Sequence, residues 1–317
     1  MGDTYPVVRL AAAQAAPVFL NREATVAKAC QLIIEAGKNG AKIIGFPECY
    51  IPAFPHWFEF YRRDHAKVRH FYKELFKNSV VIPSPATDDL CAAAKEAGIT
   101  VVMGVNEKGA GTMGTMYNTQ LFISSEGKIL GKHRKIVPTL TERLVHGQGD
   151  GSTLNVFPTE FGEVGGLICG ENTNSLARYA LIAKGEKVHV ASWPAFPTKP
   201  KHLENIDTRV RYHAYEAKNF VISATSIFSE EMKDIIGIDP KDRDSFVGDG
   251  GHSGIVGPEG DYIAGPVTGE CIVYADADFE QMIEGKMTHD TIGHYNRFDI
   301  FKFTLNEEEL TPLRKEK

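Results

Sequence analysis

Paired cysteines, a run long enough to cross a membrane and an excess of positive charge are all missing from this sequence. The five cysteines, Cys30, Cys49, Cys91, Cys169 and Cys271, are odd in number and far apart, and no two stand as Cys-x-x-Cys. That spacing excludes a zinc or redox pair built on the motif and suits a reducing, cytoplasmic compartment. No stretch of about 18 apolar residues is present to span a bilayer, and the first residues form no basic-then-apolar signal peptide. Met1-Gly2 would suit N-myristoylation, but Pro6 stands where that motif needs Ser or Thr. A formal net charge of −6 argues against a nucleic-acid partner. No composition break marks a domain boundary. The 317 residues are 43% hydrophobic and 24% charged, ordinary globular values that support a large core.

What the chain does have is an alternation of strand-like and helix-like segments, the mark of an α/β sheet protein. Strands are expected over residues 7–13, 42–46, 100–105, 116–123, 128–135, 164–168, 187–191, 220–225, 253–256, 262–264 and 271–275. Helices are expected from about Asn21, whose side chain can cap, to Gly37, and over 56–77, 88–97, 201–218 and 276–283. A further helix follows Cys169, with Leu176, Tyr179, Ala180 and Ala183 at helical spacing and Gly185 as its stop. Residues 229–251 are polar and rich in Gly and Asp, and read as a long binding or assembly loop. The charged end at Lys317 is expected to be mobile.

Chemistry-bearing residues stand at the ends of several strands. Cys169 ends the apolar run Val164 to Ile168, where exposed N–H groups and the start of a helix dipole would favour a thiolate; the alternative is a small buried hydrophobe. Glu48 follows the strand at 42–46, hemmed in by Pro47, Tyr50 and Pro52, and is either a structural acceptor or a functional group. Lys135 ends the basic run from Gly131, and the flanking Ile136, Val137 and Pro138 suggest that some of these bases turn inward, where a lysine needs a carboxylate. A second acid, Glu142, stands seven residues further on. Gly109-Ala110-Gly111-Thr112-Met113-Gly114 matches a dinucleotide fingerprint formally, but a strand follows it and no helix, so it reads as a loop. His189 reads as a core histidine. The basic residues of 56–77 are interleaved with acids and read as a solvated helix face.

Four of these segments stand in the order and spacing of a known family. Phe46-Pro47-Glu48, the stretch from Gly131 to Thr139, Thr141-Glu142-Arg143 with Gly147-Gln148-Gly149-Asp150-Gly151, and Leu167 to Asn172 resemble the nitrilase superfamily of carbon–nitrogen hydrolases, over about residues 7–276. The resemblance implies an αββα sandwich of two mixed sheets between helical layers. It implies one hydrolase domain over residues 1–285 and a C-terminal tail over 286–317. It also implies a Glu-Lys-Cys triad at Glu48, Lys135 and Cys169, with a further active-site glutamate at Glu142. His133, in His133-Arg134-Lys135, stands where the amidase and carbamoylase branches tend to have tyrosine, so the chain looks most like the nitrilase branch.

The activity so implied is hydrolysis of a small-molecule nitrile to the acid and ammonia through a cysteine thioimidate and thioester, with no metal or organic cofactor. An amidase or N-carbamoyl-amino-acid hydrolase with the same triad is the alternative. A catalytically silent scaffold is disfavoured because all three triad positions are intact. Gly170 is expected to offer its N–H to the developing charge. His133 is a candidate substrate-binding residue, and Phe54 and Trp193, with His56 and Phe196, are candidates for the substrate pocket, or for the core or a subunit interface. Gly170 departs from the tryptophan that many nitrilases carry there, and the C-terminal region is shorter than in many, which puts long spiral assemblies in doubt. A homodimer or larger homo-oligomer is expected.

Overall fold

Alternating apolar residues build two faces on each strand, and both faces find a partner. A computed structural model describes residues 2–313 of the chain. One sheet holds β1 (Val7–Gln14), β2 (Ile43–Gly45), β3 (Thr100–Lys108), β4 (Met116–Ile123), β5 (Ile129–Arg134) and β12 (Cys271–Asp278), in the order β12-β1-β2-β3-β4-β5. The other holds β6 (Phe157–Thr159), β7 (Gly162–Ile168), β8 (Val188–Trp193), β9 (Phe220–Thr225), β10 (Ser253–Val256) and β11 (Tyr262–Val267), in the order β11-β10-β9-β8-β7-β6. Each is mixed: β1-β2-β3 and β7-β8-β9 are parallel and the outer pairs antiparallel.

The period of two along β1 divides its side chains between layers. Leu10 and Ala12 meet Val190, Phe220 and Ile222 of the opposite sheet in one buried cluster. Ala11 and Ala13 turn outward onto α1 (Arg22–Lys38), where Val26, Ala29 and Ile33 are buried. Asn21 caps α1, its side chain accepting from the Ala24 N–H at 3.0 Å. After α2 (Ala66–Asn78), α3 (Pro85–Ala97) covers the same outer face through Leu90, Ala93 and Ala94. Leu167 packs outward against α4 (Ser175–Ala183), and Ala191 and Val221 against α5 (Pro200–Ala217). Helix, sheet, sheet, helix is the resulting order of layers.

Several segments depart from the periodicity reading. Residues 56–77 form a 3-10 turn, His56–Glu59, and then α2, where one helix was expected. The reason is packing: the Trp57 and Phe71 rings meet with centroids 5.4 Å apart and planes tilted by 33°, whereas a continuous helix would hold them about 21 Å apart at its usual rise. Residues 229–251 are not a free loop. They fold into α6 (Glu230–Ile236), capped by the Ser229 hydroxyl, and the single turn α7 (Pro240–Arg243), burying Met232, Ile236 and Ile238 beside Trp57. The last helix, α8 (Glu280–Lys286), begins later than expected because β12 pairs through Asp278 with Val7. Beyond α8 the described chain runs without regular structure along the body. Phe303 meets the Tyr179 ring at 5.3 Å, Glu307 pairs with Lys184, and the Leu310 N–H donates to Asp150 at 2.8 Å. The expected mobility at Lys317 falls outside the described residues.

Candidate active site

Strand ends bring the acidic, basic and thiol groups together. The chain leaving β2 makes a tight turn over Gly104 of β3: a Cβ there would lie 1.9 Å from the Pro47 carbonyl oxygen. Only a glycine admits that approach. The Glu48 N–H then donates to the Trp193 carbonyl at the end of β8, and the Ser192 hydroxyl to the Phe46 carbonyl, tying the two sheets at this point. Along β5 the basic run divides by strand alternation. Lys132 and Arg134 turn to Glu107, while His133 and, just past the strand, Lys135 turn inward.

Lys135 is wholly buried between two carboxylates, its Nζ 2.8 Å from Glu48 Oε1 and 2.5 Å from Glu142 Oε2. Glu142 lies in the 3-10 turn Leu140–Leu144 and also accepts the Thr139 N–H at 2.9 Å. Asn118 of β4 bridges the acids, its Nδ2 donating to Glu48 Oε1 at 2.6 Å and to Glu142 Oε1 at 2.9 Å. His146 stands 3.5 Å from Glu142 Oε1, its other ring nitrogen on Asn106 Oδ1 at 2.8 Å. Glu48 Oε2 is buried with no hydrogen-bond partner among the described residues. One carboxylate oxygen is therefore anchored and the other is open to accept a proton.

Cys169 follows β7 and opens a 3-10 turn, Cys169–Thr173, at a φ of 51°, a conformation that costs a residue with a Cβ of order 1–3 kcal/mol. It keeps some solvent exposure and packs beside Trp193. The expected helix dipole is not at its backbone. The helix proper starts at Ser175, and Asn174 takes up its free N–H groups, accepting from Leu176 and Ala177 at 3.0 and 3.2 Å.

Burial governs the charges. It pushes the Glu48 carboxyl up to about 7; the Lys135 ammonium opposes the rise and Glu142 adds to it. For Glu142 burial acts the same way, but Lys135 and His146 outweigh it and hold the group well below the usual carboxylate range. Burial also disfavours the Lys135 ammonium, yet two adjacent acids keep it charged, well above an ordinary lysine. The Cys169 thiol is pushed up by burial and by Glu48, and Lys135 only partly offsets this. These surroundings favour the thiol over the thiolate expected from the sequence.

The remaining candidates occupy other positions. His133 does not line the pocket: its ring is buried and both nitrogens are engaged, by the Thr153 carbonyl at 3.2 Å and Glu171 Oε2 at 3.0 Å. Glu171 in turn accepts the Ile136 and Ile168 N–H groups, so His133 braces the two segments that carry Lys135 and Cys169. The Trp193 indole is fully buried and donates to the Ser223 hydroxyl. Phe54 is half-buried with its ring on His56, and Phe196 is half-buried with its ring on His202. Gly170 borders a cavity of about 310 Å³ shared with Thr139, Arg143 and Arg209.

A lysine clasped by two glutamates beside a strained cysteine, at the seam of two six-stranded sheets, invites comparison with known proteins. A family model described as carbon-nitrogen hydrolase matches residues 9–287. The chain belongs to the carbon-nitrogen hydrolase family. A nitrilase of Bacillus sp. (strain OxB-1) is 38% identical over 317 residues, covering 98% of this chain and 92% of its own. An aliphatic nitrilase of Rhodococcus rhodochrous is 34% identical over 314 residues, covering 96% and 84%. The carbon-nitrogen hydrolase of Helicobacter pylori G27 superposes with a TM-score of 0.72 at 19% identity, covering 93% of this chain and 97% of that one; it shares the fold. Within this carbon-nitrogen hydrolase, Asn118 and His146 escaped the sequence reading. For Asn118 a signal existed: Asn118-Thr119-Gln120 is a polar run inside β4, between the apolar Met116-Tyr117 and Leu121-Phe122-Ile123.

Proposed function

We propose that this carbon-nitrogen hydrolase converts a nitrile to the carboxylic acid and ammonia, with Cys169 as nucleophile. The observation that carries the reading is the Lys135 ammonium held by two carboxylates beside Cys169, in a chain 38% identical to a nitrilase over nearly its whole length. The free Oε2 of Glu48 takes the thiol proton while the sulfur bonds to the nitrile carbon. One π pair of the C≡N bond becomes a lone pair on nitrogen. Lys135 and the Gly170 N–H meet that charge, and the thiol proton, passed on from Glu48, gives a neutral thioimidate and returns Glu48 to its carboxylate. Water then adds at carbon, one of its protons passing through Glu48 to the nitrogen; the new hydroxyl gives up the other to the nitrogen as the C–N bond breaks, ammonia leaves and a thioester remains. A second water releases the acid and returns the proton to sulfur. Glu142 holds Lys135 in place across the cycle.

Discrimination from an amide substrate rests on how the pocket receives a linear C≡N group. An amide brings two N–H donors, and each left unmet in a buried site costs about 1–3 kcal/mol. The test is a panel of paired nitriles and amides, phenylacetonitrile with phenylacetamide among them, with ammonia and acid both quantified. Higher kcat/KM for the nitriles is expected; higher values for amides or N-carbamoyl compounds would favour that alternative with the same three residues.

Residues 1–285 are assigned to one hydrolase domain, with 286–317 as its tail. A homodimer or larger assembly is part of the proposal, supported by apolar side chains left in water: Leu176 on α4, Tyr212 on α5, and Phe298 and Phe301 beyond α8. Residues 229–251 lend no support, since they cover the core. Five free cysteines favour a cytoplasmic setting, and no helix among the described residues is long and apolar enough to cross a membrane.

A further inference from the structure

Behind the cysteine turn lies a buried polar chain that the chemistry above does not use. Asn172 Nδ2 donates to the carbonyls of both Leu167 and Cys169, each at 3.1 Å, and so grips the strained turn from its two sides. An amide can face either way unless something on its far side tells oxygen from nitrogen. Here that is His189, whose Nε2 lies 2.9 Å from Asn172 Oδ1. Its Nδ1 lies 2.8 Å from Glu186 Oε1. Reversing the amide would set its oxygen against two carbonyl oxygens, so Oδ1 must accept and His189 must donate from both nitrogens.

A ring that donates twice is an imidazolium, and its counter-charge is at hand. Glu186, His189 and His213 are all wholly buried side chains. Glu186 Oε2 also accepts from His213 Nε2 at 2.9 Å and from Asn219 Nδ2 at 3.2 Å. Burial, with the neighbouring His189 next, pushes His213 down to about 4, so this second ring is neutral and donates only once. Its Nδ1 has no partner among the described residues, as a neutral ring in this pose requires. Gly165 makes room for the acid, since a Cβ there would lie 2.2 Å from Glu186 Oε1. The other charges packed around the chain, Arg178 of α4 and Glu216 of α5, pair with each other at 3.0 Å, and Arg178 also donates to the Asn172 carbonyl.

We propose that Glu186, a charged His189 and Asn172 form a positioning relay that holds the Cys169 turn in its reactive shape and aims the sulfur and the Gly170 N–H at the substrate. The inference rests on Cys169 being the nucleophile. None of the three touches substrate. The same Glu-His-His cluster has the composition of a metal site, but each facing atom is already paired by a proton shared at 2.8–2.9 Å.

The decisive variant is Asn172→Asp, which keeps the shape and the bond from His189 but turns two donations into two repulsions. Two readouts are needed: kcat and KM on the best nitrile, and the second-order rate of Cys169 alkylation by iodoacetamide, which requires no nitrile activity. The expectation is a loss of at least about 100-fold in kcat with KM nearly unchanged, and slower alkylation, in line with misplacement of a reacting group. Glu186→Gln, which keeps the side chain's shape and removes the counter-charge by exchanging one oxygen for an amide nitrogen, should lower both rates in the same sense and decides the matter if Asn172→Asp does not fold. Folded variants with unchanged kcat and alkylation, or a loss of melting temperature alone, would overturn the relay. So would a stoichiometric metal in the purified enzyme that Glu186→Gln releases. If no nitrile is turned over, the alkylation rates still test the relay, separately from the proposed reaction.

Discussion

At Glu48, burial, one cation and one anion compete, and burial prevails, lifting the carboxyl to about 7. In the proposed reaction Glu48 takes the thiol proton and must be ionised to do so, so kcat/KM should rise with pH through about 7 and then level, with the midpoint belonging to the Glu48–Lys135–Glu142 cluster as a whole. Glu142→Gln removes an anion that raises Glu48. The acid limb of its pH–rate profile should therefore move to lower pH, alongside a lower kcat from a loosened Lys135. A limb that moves to higher pH would contradict this electrostatic ordering. The four acid, base and thiol candidates were legible because an ionisable group ending an apolar strand is conspicuous. The ionisation of Cys169 was not, since burial from distant segments, and not the local helix, sets it. His133 was misread as a pocket residue because only the fold shows that Glu171 occupies it.

At the scale of elements, most strands could be read in place from their apolar pattern, although β3, β11 and β12 run three residues past the expected ends and β6 was not expected. Segments whose shape depends on remote packing could not. Residues 56–77 fold back as Trp57 meets Phe71, and within 229–251 the helix α6 packs against the Trp57 cluster, with Tyr61 and Lys67 holding the carbonyl of Ile236. The turn between β2 and Glu48 depends on β3 in the same way. Gly104→Ala would drive a methyl into the Pro47 carbonyl, at a cost of about 1–3 kcal/mol or more, and displace the neighbouring Glu48. Denaturant unfolding should show the lost stability, and the folded fraction should show a reduced kcat. Wild-type stability and rate in that variant would mean that the turn is not held by this contact.

At the scale of the molecule, strand and helix alternation gave an α/β sheet protein and the family resemblance implied the layer order, while the pairing of β12 with β1 across the length of the chain had no local signal. The exposed Leu176, Tyr212, Phe298 and Phe301 lead to an expected dimer or larger species by light scattering at micromolar concentration; a monomer there would contradict that assembly. Covalent catalysis is tested most directly on the intact enzyme. Mixing it with a nitrile, quenching in acid during turnover and weighing the protein should reveal an adduct of the nitrile or its acyl group, mapped to the peptide that holds Cys169. Cys169→Ala should fold, carry no adduct and release no ammonia. An adduct on another residue, or a Cys169→Ala enzyme that still releases ammonia at a rate comparable to the unaltered protein, would contradict covalent catalysis at Cys169.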